Sequence, residues 1–158
     1  TYGYSLHNCL LRPKSRGRVS LMSNDFLQDP KIELNMLSHP DDVAAMIDAV
    51  KINLNIFSQP AFDDGRGKSI FPSQQNPSDQ EIEEFVRKKA NHVYHPVGTC
   101  KMGNDKDAVV NDRLQVHGMT GLRVVDASIM PTLVGGNTNS PTIMIAAKAA
   151  DMILADHC

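Results

Sequence analysis

Tyr94-His95-Pro96-Val97-Gly98-Thr99-Cys100-Lys101-Met102-Gly103 is the stretch around which the rest of the chain arranges itself. Pro96 steers His95 away from the helical region and toward extended or polyproline geometry. Gly98 and Gly103 then permit close backbone approach or a positive φ. A histidine held in this way has a defined direction, which a general base requires. The same pattern also serves a histidine in a tight loop that makes one structural hydrogen bond.

Working back from this stretch, the sequence predicts two amphipathic helices. Ser78 and Glu81 form a capping box for a helix that carries Ile82, Phe85 and Val86 inward and ends in Arg87-Lys88-Lys89. Before it, residues 60–77 are rich in Gly, Ser, Gln and Pro and read as a loop. Pro40 opens the other helix, with Asp41 and Asp42 suited to the positive end of its dipole. Val43, Met46, Ile47, Val50, Leu54 and Phe57 recur on one face, and Pro60 prevents continuation. Further upstream, Val19 and Leu21, and then Ile32, Leu34 and Met36, alternate with polar residues, which predicts an antiparallel pair with one face buried.

Working forward, Val109-Val110, Leu114 to Val116 and Leu122 to Asp126 read as short strands. Ser140, as a cap, and Pro141 open a last helix that runs to about Leu154. It is apolar on most sides, so it is expected to be deeply buried or packed against another domain.

The 158 residues suit one domain, with 41% hydrophobic and 22% charged residues. A formal net charge of -2, without a long basic run, argues against nucleic acid as a partner and does not indicate membrane association. No apolar stretch approaches the roughly 18 residues that span a bilayer. Three widely spaced cysteines without a CxxC pair favour a reduced, cytoplasmic setting over a disulfide framework. A chain that opens on Thr1 rather than Met reads as a piece cut from something longer or as a processed terminus.

Two positions besides His95 have the character of a site. Gly135-Gly136-Asn137-Thr138-Asn139-Ser140 lies ahead of the last helix, where unpaired amides and about half a positive charge would stabilise an anion. Asn137 there either orients a substrate oxygen or bonds its own turn. Asp126 ends an apolar run, placed to accept from a ribose or from a backbone amide. Zinc is disfavoured: in an extended strand His92 and His95 point to opposite faces, and no second Cys/His pair completes a tetrahedron. Cys100 lacks the surroundings that activate a nucleophile. The chain contains no GxGxxG phosphate loop.

Taken together, "LRPKSRGRVSL", "YHPVGTCKMG", "LQVHGMTGLRVVDASIMPT" and "GGNTNSPTIMIAAKAADMI" resemble, in order, the C-terminal part of the glucose–methanol–choline (GMC) family of FAD-dependent alcohol oxidoreductases. The choline dehydrogenase and aliphatic alcohol dehydrogenase branch is the nearest likeness. The resemblance implies an α+β fold, an antiparallel sheet flanked by helices. It implies a substrate-binding domain over residues 1–98, with residues 99–158 supplying the histidine-motif loop and a returning segment that completes an FAD domain. It further implies His95 and Asn137 as catalytic residues, Val93 and His95 lining the substrate cavity, and Asp126, Ala127, Asn137 and Thr138 approaching FAD. The implied reaction is oxidation of choline or an aliphatic primary alcohol to the aldehyde by hydride transfer to FAD, with His95 as base. A non-catalytic binding or interaction module on the same fold is the alternative. The implied partners are a small-molecule alcohol and an N-terminal FAD domain of the same polypeptide, without which this segment is expected to bind FAD weakly and to be inactive. Asn35-Met36-Leu37-Ser38, where a tyrosine is commoner after the asparagine, and Asn91-His92 depart from the family pattern.

Overall fold

The computed structural model describes residues 3–73 and 76–157. It divides into two compact units: one runs up to Met22 and resumes over Leu27–Asn91, and the other joins Ser23–Phe26 to everything from His92 onward. The whole histidine stretch therefore belongs to the second unit.

In the first unit, β1 (Arg18–Ser20) and β2 (Lys31–Glu33) pair antiparallel, with Arg18 opposite Glu33, Val19 opposite Ile32 and Ser20 opposite Lys31. The alternation located the pair but misjudged its environment. Val19 and Ile32, directly opposite each other, are both largely exposed, and Leu21 is more so. Alternation says which side chains share a face; whether anything covers that face depends on the rest of the fold. Gly17 sits where the ribbon closes, and a Cβ there would lie 2.1 Å from the Glu33 carbonyl oxygen.

Helix α1 (Pro40–Phe57) and helix α2 (Asp79–Lys89) pack on each other and carry the core of this unit. Leu37, Val43, Val50, Ile82 and Val86 are buried, with Met46, Ile47, Leu54 and Phe85 partly buried against them. The capping box at Ser78 is complete: its hydroxyl accepts from the Glu81 amide and the Glu81 carboxylate accepts from the Ser78 amide. A turn of 3-10 helix at Pro60–Gly65 occupies part of the stretch read as loop. Phe57 leaves the α1–α2 core and meets Tyr4 and Phe62, at centroid separations of 5.1–5.6 Å among the three rings.

The second unit is built on helix α3 (Asn139–His157) and the irregular chain before it. The strands expected between residues 109 and 126 occur only as isolated bridges: Met102 with Val110, Val110 with Val116, and Gln115 with Arg123. Positive φ at Leu114, Gly118 and Gly121 bends the chain every few residues, so no run is long enough for a ladder. The buried apolar residues are Val110, Leu114, Ile129, Met130, Ile145 and Ala149.

Helix α3 contributes one stripe to that core, Ile145 and Ala149, four residues apart. Most of its remaining apolar residues are exposed, Ile143 at 61%, Met144 at 59% and Leu154 at 64%, with Met152 half-buried, so within this chain the helix is not deeply buried. It also starts two residues earlier than expected. Thr138, not Ser140, immediately precedes it, and Pro141 falls within the first turn, where its missing N–H costs nothing. Its far end is held by Asp156, which pairs with both Arg113 and Arg123.

Candidate active site

The histidine stretch is laid against the chain just before α3. The Cys100 amide donates to the Ser128 carbonyl at 3.0 Å, and the Met102 amide donates to the Ile129 carbonyl at 2.8 Å. Gly98 lies within this contact with φ 87°, and a Cβ on it would stand 3.2 Å from the Met130 carbonyl oxygen. Two bonds two residues apart fix the register, so whatever precedes Gly98 is delivered to one place.

What precedes it is a sharp turn. Tyr94 has φ 62°, in the left-handed region that non-glycine residues rarely occupy. The extended geometry expected from Pro96 is thus broken one residue before His95. His92 turns back on this bend: its Nδ1 accepts from the Tyr94 amide at 3.2 Å, and its ring meets the Tyr94 ring edge-on at 4.6 Å. Val93 and Tyr94 are exposed, while His95 is half-buried. Strain of this kind costs about 1–3 kcal/mol and persists where surrounding contacts over-determine it.

His95 meets the segment ahead of α3. Its Nδ1 lies 2.8 Å from the Thr138 Oγ1, across 43 residues of sequence. Thr138 is 8% exposed, and its carbonyl accepts from both the amide and the hydroxyl of Thr142, at 3.0 and 2.7 Å. The resemblance implies Asn137 as the other catalytic residue; the bond from His95 runs to its neighbour Thr138, and Asn137 is exposed. Because Thr138 directly precedes Asn139, the histidine ring is tied to the N-terminal end of α3, whose first amides lack helical acceptors.

Asp126 caps the 3-10 turn Ala127–Ile129, its Oδ1 accepting from the Ser128 amide at 2.7 Å. Of the two uses read from sequence, the backbone amide is the one seen, and the exposed carboxylate retains its second oxygen. The Ala127 carbonyl accepts from the Met130 amide, and the Ala127 side chain packs on the Val110 core. The second unit thus contains Val93, His95, Asp126, Ala127, Asn137 and Thr138. The Thr138 hydroxyl is the partner that sequence reasoning missed. Its only local signal was a β-branched hydroxyl residue inside a run of helix-capping types.

The sequence profile of the GMC oxidoreductase C-terminal domain matches residues 13–146. The chain belongs to the GMC oxidoreductase family. It is 51% identical to an alcohol dehydrogenase [acceptor] of Pseudomonas putida over 97% of its own length and 28% of that protein's. An oxygen-dependent choline dehydrogenase of Cronobacter sakazakii is 48% identical over 96% of this chain and 27% of that one. Among solved structures, an FAD-dependent oxidoreductase from Chaetomium thermophilum superposes with a TM-score of 0.86 at 29% identity, over 93% of this chain and 26% of its own. Pyridoxine 4-oxidase from Mesorbium loti gives 0.81 at 30% identity, over 89% and 28%. This GMC chain is an α+β segment that spans about 28% of the length of the curated relatives it matches. Among the described residues, no helix is long and apolar enough to cross a membrane.

The donor set ahead of α3 fits a flavin. The exposed Asn137 carboxamide, the first amides of α3, which lack helical acceptors, and the exposed Asp126 carboxylate suit an electron-rich ring edge and hydroxylated linkers. The sequence contains no GxGxxG loop for a diphosphate.

Proposed function

We propose that this segment supplies the proton-accepting half of an FAD-dependent alcohol oxidoreductase that converts choline or an aliphatic primary alcohol to the aldehyde. The single observation that carries the reading is the tie between His95 and Thr138. It holds a base beside a helix end that is correctly signed for negative charge.

Oxidising an alcohol requires loss of the hydroxyl proton as hydride leaves the carbon. When bound, the flavin supplies the hydride acceptor. His95 takes the proton, and a positioned base contributes about 10²–10⁴-fold to such a step. Asn137 donates its carboxamide N–H to the oxygen where negative charge develops. The first amides of α3 and the Thr138 segment would hold the flavin's electron-rich edge, where the helix dipole would stabilise negative charge. Asp126 and Ala127 approach the ribose and diphosphate, and Val93, half exposed beside the histidine, lines the substrate cavity.

Residues 1–98 serve as the substrate-binding part, and residues 99–158 complete the flavin-binding part. The remainder of the site comes from an N-terminal FAD domain, in keeping with the 28% coverage of the relatives. The exposed apolar residues of α3 (Ile143, Met144 and Leu154) are suited to packing against it. The segment on its own therefore binds FAD weakly and does not turn over.

The test is His95→Ala in the full-length, flavin-loaded protein. Flavin reduction by choline or a primary aliphatic alcohol falls by about 10²–10⁴-fold while the flavin stays bound. A near-normal rate removes the base assignment, and failure of every alcohol tried to reduce the flavin removes the reaction.

A further inference from the structure

His95 has one hydrogen bond among the described residues, through Nδ1 to Thr138 Oγ1. A neutral imidazole carries one N–H and one lone pair, and the partner of one nitrogen decides which the other presents. If the threonine hydroxyl donates to Nδ1, then Nε2 bears the proton and is a donor. If it accepts from Nδ1–H, then Nε2 has the lone pair and is a base. The same 2.8 Å separation fits either arrangement, so the chemistry of the site turns on this one proton.

Thr138 is built to act as a fixed post. Its side chain is buried, its backbone oxygen is held twice by Thr142, and a β-branched side chain has few χ1 choices. The hydroxyl is therefore delivered by the start of α3 rather than by a mobile loop. Asn137, its exposed neighbour, is free for the substrate.

We propose that Thr138 is a positioning residue: its Oγ1 accepts from Nδ1–H of His95, and this holds the ring in the tautomer whose Nε2 is unprotonated. The assignment deepens the reading of His95 as base and rests on it for its catalytic meaning, but the tautomer is measurable without turnover. In this assignment the Thr138 hydroxyl acts through the histidine it bonds.

The experiment uses the full-length, flavin-loaded protein with isotope-labelled histidine, and imidazole nitrogen NMR on wild type, Thr138→Val and Thr138→Ser. Wild type gives a protonated Nδ1 and an unprotonated Nε2 for His95. Thr138→Val, which keeps the shape and removes the acceptor, moves His95 toward the Nε2–H form. It also lowers alcohol-driven flavin reduction about 10–100-fold, the range seen when a metal-bound histidine loses its orienting partner. Thr138→Ser restores both. A protonated Nε2 in wild type, or an unchanged tautomer in Thr138→Val, overturns the proposal. If the tautomer follows residue 138 while His95→Ala leaves reduction untouched, the alcohol-oxidation reading falls and the positioning of His95 stands.

Discussion

Asp42 accepts both the backbone amide and the hydroxyl of Ser15: its Oδ2 lies 2.7 Å from the nitrogen and 2.5 Å from Oγ. The Lys14 amide adds bonds of 2.9 and 3.1 Å to the same carboxylate, and the Ser15 hydroxyl in turn accepts from the His39 amide at 3.1 Å. The carboxylate is 4% exposed. This side chain fastens the 12–17 turn to the first turn of α1 and leads the chain into the β1–β2 ribbon. Asp42→Ala strips two backbone amides and a hydroxyl of their acceptor and destabilises the protein by about 3 kcal/mol. Denaturant midpoints measure this, and a loss below about 1 kcal/mol refutes the fastening role.

The same carboxylate makes stability fall in acid. Burial pushes its pKa up, but the bonds from the Lys14 amide and from the hydroxyl and amide of Ser15 outweigh burial and hold it below the ordinary 3.8. A folded-state pKa lower than the unfolded one stabilises the fold fully above the unfolded value and progressively less as pH drops through the folded value. Unfolding free energy measured from about pH 6 down to about pH 2 therefore decreases below about pH 4. Asp42→Asn removes part of that slope. Asp41, whose bond and charge interaction with Lys14 lower its pKa, Glu81, lowered chiefly by the Ser78 amide, Glu33, lowered chiefly by Arg18, and Asp105, lowered chiefly by Lys101, contribute to the remainder. An unaltered slope in Asp42→Asn contradicts the assignment.

Helices α1 and α2 were legible because their signals are local: a proline and a capping box at the start, and one apolar face at helical spacing. Asp42 was legible as a helix residue but not as a latch, because its partners lie 27 and 28 residues away. The start of α3 was misread because Thr138, Asn139 and Ser140 are all competent caps, and the first helical amides are unpaired wherever the helix begins. His95 was recognisable from its surroundings in sequence. Its bond to Thr138 was not, since it depends on the register of residues 98–102 against 128–130.

That register makes Gly98 the sensitive point of the histidine stretch. Its φ of 87° is costly for any L-residue, and an added Cβ would crowd the Met130 carbonyl, whose own residue is held by the bond from its amide to Ala127. Gly98→Ala costs about 2 kcal/mol of stability. It also displaces His95 from Thr138, so flavin reduction by an alcohol falls together with the denaturation midpoint. A variant of wild-type stability and rate shows that the turn tolerates a side chain and that the register argument is wrong.

Asn137 and Thr138, adjacent in sequence, separate into different roles by their burial. Asn137 is exposed, so Asn137→Ala leaves the unfolding free energy within about 0.5 kcal/mol of wild type. If its carboxamide meets the developing alkoxide, the same change slows alcohol oxidation about 10²-fold, less than His95→Ala does. A lost neutral donor near the ring also disfavours the anionic reduced flavin, so the flavin midpoint potential becomes more negative. Stopped-flow reduction and a redox titration on the full-length protein give the two numbers. A drop in stability with no change in rate or potential assigns Asn137 to the turn that begins α3, and the alkoxide contact then has to come from another side chain.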